Sequence, residues 1–196
     1  ATIFGTPGND TLVGTNGADV IHGLAGDDTI AGRGGHDIIC GDAGTDMLSG
    51  NNGRDTIFGN AGRDTISGGK KADTVAGGGG ADTINGNGGG ETFSGGTGGD
   101  TINGGFGADT NKAGRGADHV YGGAGGDNDT LSLGQNPSSL DTFQDRDDAT
   151  DIVYAEATFA ANGIDTVYDY SDTQGGDIAR DIIDFSAAFN FTDPGT

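Results

Sequence analysis

Gly23-Leu24-Ala25-Gly26-Asp27-Asp28-Thr29-Ile30-Ala31 decides how this chain is read, because the same nine-residue pattern starts at Gly5 and recurs in phase until Gly122, fourteen copies over residues 5–130. The pattern is Gly at position 1, Gly at position 4, Asp at position 6 and an aliphatic residue at position 8. Position 1 is Gly in thirteen copies (Ala113 departs), position 4 is Gly in thirteen (Lys71 departs) and position 6 is Asp in thirteen (Glu91 departs). Position 8 is Leu, Ile, Val or Phe in twelve copies and departs at Asn111 and Asp129, while position 2 is Gly in only six, all from Gly69 onward. A fixed short period is the mark of a repeat architecture, in which each copy buries its apolar side only against its neighbours.

The residue types dictate the local structure. Gly at positions 1 and 4 lets the backbone turn tightly and exposes carbonyls that no Cβ obstructs. Asp at position 6 adds a carboxylate to that turn. Carbonyls and carboxylates are hard oxygen donors, which suit Ca²⁺ rather than a transition metal calling for His or Cys. The candidate ligands are therefore Asp10, Asp19, Asp28, Asp37, Asp46, Asp55, Asp64, Asp73, Asp82, Asp100, Asp109, Asp118 and Asp127. They are joined by carbonyls of turn residues such as Gly5, Gly8, Gly23, Gly26, Gly41, Gly44, Gly59, Gly62, Gly77, Gly80, Gly95 and Gly98.

The last three positions, as in Thr29-Ile30-Ala31, have the out-in-out order of a short strand. Turn, strand, turn, strand makes one coil of two copies, and fourteen copies make seven coils stacked at about 4.8 Å. Odd copies would form one sheet and even copies the other. Leu12, Ile21, Ile30, Ile39, Leu48, Ile57, Ile66, Val75, Ile84, Phe93, Ile102 and Val120 would point between them as a thin core.

Composition bounds the rest. With 196 residues, 43 Gly, 3 Pro, no Trp and a net charge of −21, the chain is not a basic nucleic-acid binder. Such acidity with few aromatics would ordinarily describe a solvated, disordered segment; the strict period argues against that. Cys40 is the only cysteine, so no internal disulfide forms, and a core one residue wide cannot by itself offset the entropy of ordering so long a chain. Bound metal is expected to supply the difference, since such binding is folding free energy. No apolar run reaches membrane-spanning length, and Ala1-Thr2-Ile3-Phe4 offers neither a charged nor an apolar signal region.

The Gly-Gly-x-Gly-x-Asp-x-aliphatic-x pattern resembles the RTX (repeats-in-toxin) nonapeptide. The resemblance implies an all-β fold, a right-handed parallel β-roll, with each Ca²⁺ held between the turn of one copy and the turn two copies later. It also implies a secreted or cell-surface bacterial protein that leaves the cell through a type I secretion machinery.

After Gly122 the phase breaks. Asp127-Asn128-Asp129-Thr130-Leu131 repeats the Asp-x-aliphatic signal two residues late, and Gln135-Asn136-Pro137-Ser138-Ser139 reads as a loop. Eight of the thirteen Phe and Tyr residues lie beyond residue 130. We therefore divide the chain into a lead-in (1–4), the repeat roll (5–130) and a C-terminal segment (131–196) that covers the last coil. Within it Asp151-Ile152-Val153-Tyr154, Asp165-Thr166-Val167-Tyr168-Asp169-Tyr170 and Asp181-Ile182-Ile183-Asp184-Phe185-Ser186 read as three strands, with a helical turn or two over 155–161. The stretch from Asp165 to Ser186 is similar to the segments that follow the repeats in serralysin-type proteases and alginate epimerase R-modules, with Tyr170 where those families have Phe and Phe185 where they have Leu. That likeness implies a capping and secretion-signal role.

Other constellations carry little. His22, His36 and His119 fall at different repeat positions, no His-Glu-x-x-His or Gly-x-Ser-x-Gly occurs, and Asp145-Arg146-Asp147-Asp148 lacks the Gly and terminal Glu of an EF-hand loop. A column of Thr11, Thr29, Thr65, Thr83 and Thr101 is explained by strand propensity. The repeats together with the RTX resemblance imply a non-catalytic, calcium-binding module that folds outside the cell and supports the secretion and stability of a parent protein with a catalytic or adhesive domain. The alternative is a surface-layer or adhesin segment in which the roll itself works.

Nine to twelve Ca²⁺ are expected. The odd copies offer six complete sites. The even copies are interrupted by Glu91, whose extra methylene carries the carboxylate too far, and by Lys71, whose ammonium would stand in for an ion near Asp55 and Asp73.

Overall fold

The computed structural model describes residues 1–123 and 128–132 and, beyond them, the strands Thr142–Asp145, Ile152–Tyr154, Thr166–Asp169 and Ile182–Asp184. Two parallel sheets face each other. The ten-stranded sheet contains, in spatial order, β1 (Thr2–Phe4), β3 (Val20–His22), β5 (Ile38–Ala43), β7 (Thr56–Ala61), β9 (Thr74–Gly79), β11 (Thr92–Thr97), β13 (Thr110–Arg115), β15 (Thr130–Ser132), β17 (Ile152–Tyr154) and β19 (Ile182–Asp184). The nine-stranded sheet contains β2 (Thr11–Val13), β4 (Thr29–Ala31), β6 (Met47–Asn52), β8 (Thr65–Lys70), β10 (Thr83–Gly88), β12 (Thr101–Gly105), β14 (His119–Gly123), β16 (Thr142–Asp145) and β18 (Thr166–Asp169). Even copies form the first sheet and odd copies the second, as the period requires. The architecture is a parallel β-roll, and among the described residues no helix is long and apolar enough to cross a membrane.

Register follows the eighteen-residue coil: Thr11 lies beside Thr29, Leu12 beside Ile30, Ile39 beside Ile57. The core is a single file of position 8 side chains from Ile21 to Val120, each 0–1% exposed, and Leu131 continues it. Ile3 and Leu12, at the open end, are only partly buried against that file. The lead-in is therefore part of the roll: Thr2-Ile3-Phe4 pairs with Val20-Ile21-His22 as a further copy would.

From β5 to β11 each strand runs for six residues, carrying the pairing into positions 1 to 3 of the following copy. Within these strands position 2 takes positive φ, at Asp42 (72°), Asn51 (72°), Asn60 (74°), Asn87 (73°), Gly69 and Gly78, and Leu24 (80°) and Arg33 (76°), after the shorter β3 and β4, do the same. The bent strand keeps its ladder, with Gly26 N donating to Ala43 O (2.9 Å) and Ala43 N to Leu24 O (3.0 Å).

The pairing continues past residue 130 with longer coils. Thr110 lies beside Thr130, a step of twenty residues, and the later steps are longer still, Thr130 beside Ile152 and Ile152 beside Ile182. The three strands expected beyond the repeats are present, and a fourth, Thr142–Asp145, lies in a stretch to which the sequence reading assigns no strand. The helical turns expected over 155–161 lie outside the described residues.

Candidate metal centre

Each turn presents its position 6 carboxylate to the interior, and the two oxygens of that carboxylate meet different fates. One is fixed by the neighbouring coil. Asp10 N donates to Asp28 Oδ1 (2.8 Å), Asp28 N to Asp46 Oδ1 (2.8 Å), Asp46 N to Asp64 Oδ1 (2.9 Å), and the same bond joins 64 to 82, 82 to 100 and 100 to 118. On the even side it joins Asp19 to Asp37, Asp37 to Asp55, Asp55 to Asp73 and Glu91 to Asp109.

The other oxygen has no partner. Oδ2 of Asp28, Asp37, Asp46, Asp55, Asp64, Asp73, Asp82 and Asp100 is buried without a hydrogen bond. A buried, unpaired carboxylate oxygen is costly, and here the cost recurs in coil after coil. Burial accordingly pushes the carboxyls of Asp37, Asp55, Asp64, Asp82 and Asp100 above their usual range, against the backbone N–H bonds that lower them. Asp46 and Asp73 are pushed up to about 6, burial again being the main cause. A cation beside each column would reverse this, since opposite charge favours the ionised form.

The space for a cation is set by the position 1 glycines. A Cβ on Gly59 would fall on Asp64 Oδ2 and 2.5 Å from Gly77 O; one on Gly23 would fall on Asp28 Oδ2 and 2.7 Å from Gly41 O. Gly50, Gly77 and Gly95 repeat the arrangement with Asp55, Asp82 and Asp100. The unpartnered Oδ2 of one copy and the position 1 carbonyl of the copy two later thus converge on a cradle that any side chain would fill. Among the described residues no cluster of three or more His, Cys, Asp or Glu side chains forms, so the donor set is carboxylate plus carbonyl, the chemistry that suits a hard divalent ion. The position 4 carbonyls are placed otherwise: those of Gly26, Gly44, Gly62 and Gly80 occupy the space that a Cβ would take on the position 4 glycine two copies on.

The ends and the even side depart from this geometry. In the first two turns Oδ2 is satisfied within the turn, by Thr6 N and Thr6 Oγ1 (2.9 Å) at Asp10 and by Thr15 N and Thr15 Oγ1 (2.9 Å) at Asp19. At the other end Asp127 lies outside the described residues. The oxygen that accepts from Asp109 N (2.8 Å) belongs to Asp129, which is 3% exposed. Asp129 is thus the position 6 carboxylate of the last turn and Leu131 its core residue; reading the copies in phase through residue 130 assigns these places to Asp127 and Asp129. The two-residue slip returns Leu131 to the apolar file, beside Asn111.

Glu91 is wholly buried, with neither Oε1 nor Oε2 hydrogen-bonded, and the Asp55-to-Asp73 bond has no successor from Asp73 to Glu91. Burial, and then the Asp109 carboxylate beside it, push its carboxyl up to about 8. Its cradle is also crowded: a Cβ on Gly86 would lie 2.7 Å from Phe93 Cζ and 2.8 Å from Glu91 Oε2. Lys71 holds φ 78° at a position otherwise taken by glycine, is exposed, and pairs with no carboxylate among the described residues. Asn111, beside Phe93 in the core file, buries both amide atoms unpaired.

Matches to the family described as RTX calcium-binding nonapeptide repeat (4 copies) cover residues 4–39, 41–70, 58–90, 67–102, 85–110 and 94–131. No curated protein matches the chain significantly.

Proposed function

The chain belongs to the RTX calcium-binding nonapeptide repeat family, and from that premise we propose that it is a calcium-dependent folding module of a secreted protein. The observation that carries this reading is the series of buried, unpartnered Asp Oδ2 atoms from Asp28 to Asp100, each beside the position 1 carbonyl of the next coil. The proposed ligands are these carboxylates together with those of Asp109, Asp118 and Asp129 and the position 1 carbonyls. When bound, Ca²⁺ supplies the positive charge that offsets the carboxylate repulsion within each column.

Without the ion, a chain of charge −21 is driven apart by its own carboxylates and stays extended. In the low-calcium interior of a cell it would remain threadable, and it would fold after reaching calcium-rich surroundings, which is the use a secretion machinery has for such a module. Strands β15 to β19 extend both sheets beyond the repeats, and this segment is proposed to protect the last repeat coils from solvent.

Circular dichroism in EGTA and then with added Ca²⁺ tests the reading. Strand signal should appear on calcium addition and vanish on chelation. A signal unchanged by EGTA, or restored equally by Mg²⁺, whose small octahedral shell does not suit such turns, would overturn it.

A further inference from the structure

The outer face of the nine-stranded sheet carries a groove unrelated to the carboxylate columns. Its floor is built from β10 and β12, where Thr83 lies beside Thr101 and Asn85 beside Asn103. Tyr121 on β14 continues the Asn column, and Phe106, 65% exposed, stands at the turn edge. With Asn87 these residues line a cavity of about 570 Å³, within the usual range for small-ligand sites.

Three properties define what it would hold. Among the described residues the lining contains no charged side chain, although the chain as a whole carries −21. Its polar groups are partly organised: Asn87 Nδ2 donates to Ser67 Oγ (2.9 Å) and Asn87 N donates to Asn85 Oδ1 (3.2 Å), which fixes the Asn85 amide and leaves its NH₂ free. The side chains of Thr83, Thr101 and Asn103 make no hydrogen bond among the described residues. Position 2, which bears Asn87 in the tenth copy, is glycine at 105 and 123, so this stretch of the rim has no side chains.

A flat aromatic ring beside rows of free amides and hydroxyls is complementary to a pyranose ring, whose C–H face stacks on the aromatic while its hydroxyls pair with the amides. The rows repeat at the coil spacing of about 4.8 Å, close to the length of one sugar unit. An anionic polymer would find no cationic side chain in this lining, a basic peptide would find no carboxylate there, and an apolar helix would leave the amides unpaired.

We propose that this groove binds an uncharged oligosaccharide, laid along the roll axis with Phe106 and Tyr121 as stacking platforms and Asn85 and Asn103 as hydroxyl partners. The test is titration of the isotope-labelled, calcium-loaded protein with cellopentaose, maltopentaose and chitopentaose, followed by amide NMR, with oligogalacturonate as the anionic control. At least one neutral pentasaccharide should shift the side-chain amides of Asn85 and Asn103 and the backbone signals of Gly105 and Gly123, with a dissociation constant of about a millimolar. Phe106→Ala, at an exposed position, should weaken that binding at least tenfold and leave the rest of the spectrum intact; Phe4→Ala, on the other sheet, should not change it. Absence of shifts with all three sugars, equal binding by Phe106→Ala, or equal shifts with oligogalacturonate would overturn the proposal. So would self-association in sedimentation that Phe106→Ala abolishes, because a second copy would then occupy the groove.

Discussion

Asp73 and Glu91 face each other across one coil step without the hydrogen bond that joins their neighbours, Asp55 to Asp73 and Glu91 to Asp109. The backbone is continuous there, since Thr92 N still donates to Asp73 O (2.9 Å). One methylene therefore breaks the side-chain column while leaving the sheet whole.

Glu91→Asp should restore that bond. The shortened carboxylate would accept from Asp73 N through one oxygen and turn the other to the Gly86 cradle, and the folded state should gain about 1 kcal/mol at saturating Ca²⁺. Denaturant titration in calcium measures it; an unchanged or lower midpoint would show that Phe93, not Glu91, limits this turn.

Asn111→Leu replaces a buried amide having no partner with an apolar side chain of similar size between Phe93 and Leu131. Removing an unpaired polar group from the core should stabilise the roll by about 1–3 kcal/mol. Thermal unfolding of the two proteins at one calcium concentration decides it, and destabilisation would mean that the amide is satisfied in solution.

Gly62 and Gly8 hold the same repeat position with opposite tolerances. Gly62 has φ 139° and a Cβ there would collide with Gly44 O, whereas a Cβ on Gly8 would meet only Thr6 Oγ1, at 3.9 Å. Gly62→Ala should cost about 1–3 kcal/mol or more and raise the calcium concentration needed for folding; Gly8→Ala should leave that midpoint within about 0.5 kcal/mol. Equal effects would refute the close approach of successive turns.

Acid should act in opposite directions with and without metal. In the metal-free roll Asp46 and Asp73 titrate at about 6 against an ordinary 3.8, so the folded state holds their protons more tightly than the unfolded chain. The stability they contribute is full below about pH 4 and is lost as pH rises through about 6. Metal-free protein should therefore gain strand signal on acidification. Calcium competes with those protons, so the calcium midpoint should rise several-fold between about pH 7 and pH 5. A midpoint independent of pH would mean that these carboxylates are not displaced from their protons by the ion.

Legibility followed repetition. Positions 1, 4, 6 and 8 announced the coil, the two sheets and the core file because the same physical demand is met at each copy. Position 2 stayed hidden, since Leu24, Arg33, Asp42, Asn51 and Asn60 take positive φ without being glycine. They are carried into it by the hydrogen bonds of neighbouring coils, which are invisible from one copy alone. The choice between Asp127 and Asp129 set phase against pattern: strict counting puts Asp127 at position 6, whereas only Asp129 precedes a triplet with an apolar middle residue, and the burial of Leu131 against the core decides for Asp129. Thr142–Asp145 lies outside the repeat period, and it is the edge of β14 that pairs with it.

The eighteen-residue step has a mechanical meaning. Every strand is hydrogen-bonded only to the coils before and after it, so a force applied along the roll axis loads one interface at a time. Peeling a single coil exchanges about 4.8 Å of axial rise for roughly 60 Å of extended chain, the span of eighteen residues. Under tension the eighteen-residue coils would lengthen in equal increments, each rupture leaving the remaining coils intact and ready to re-wind when the load is released.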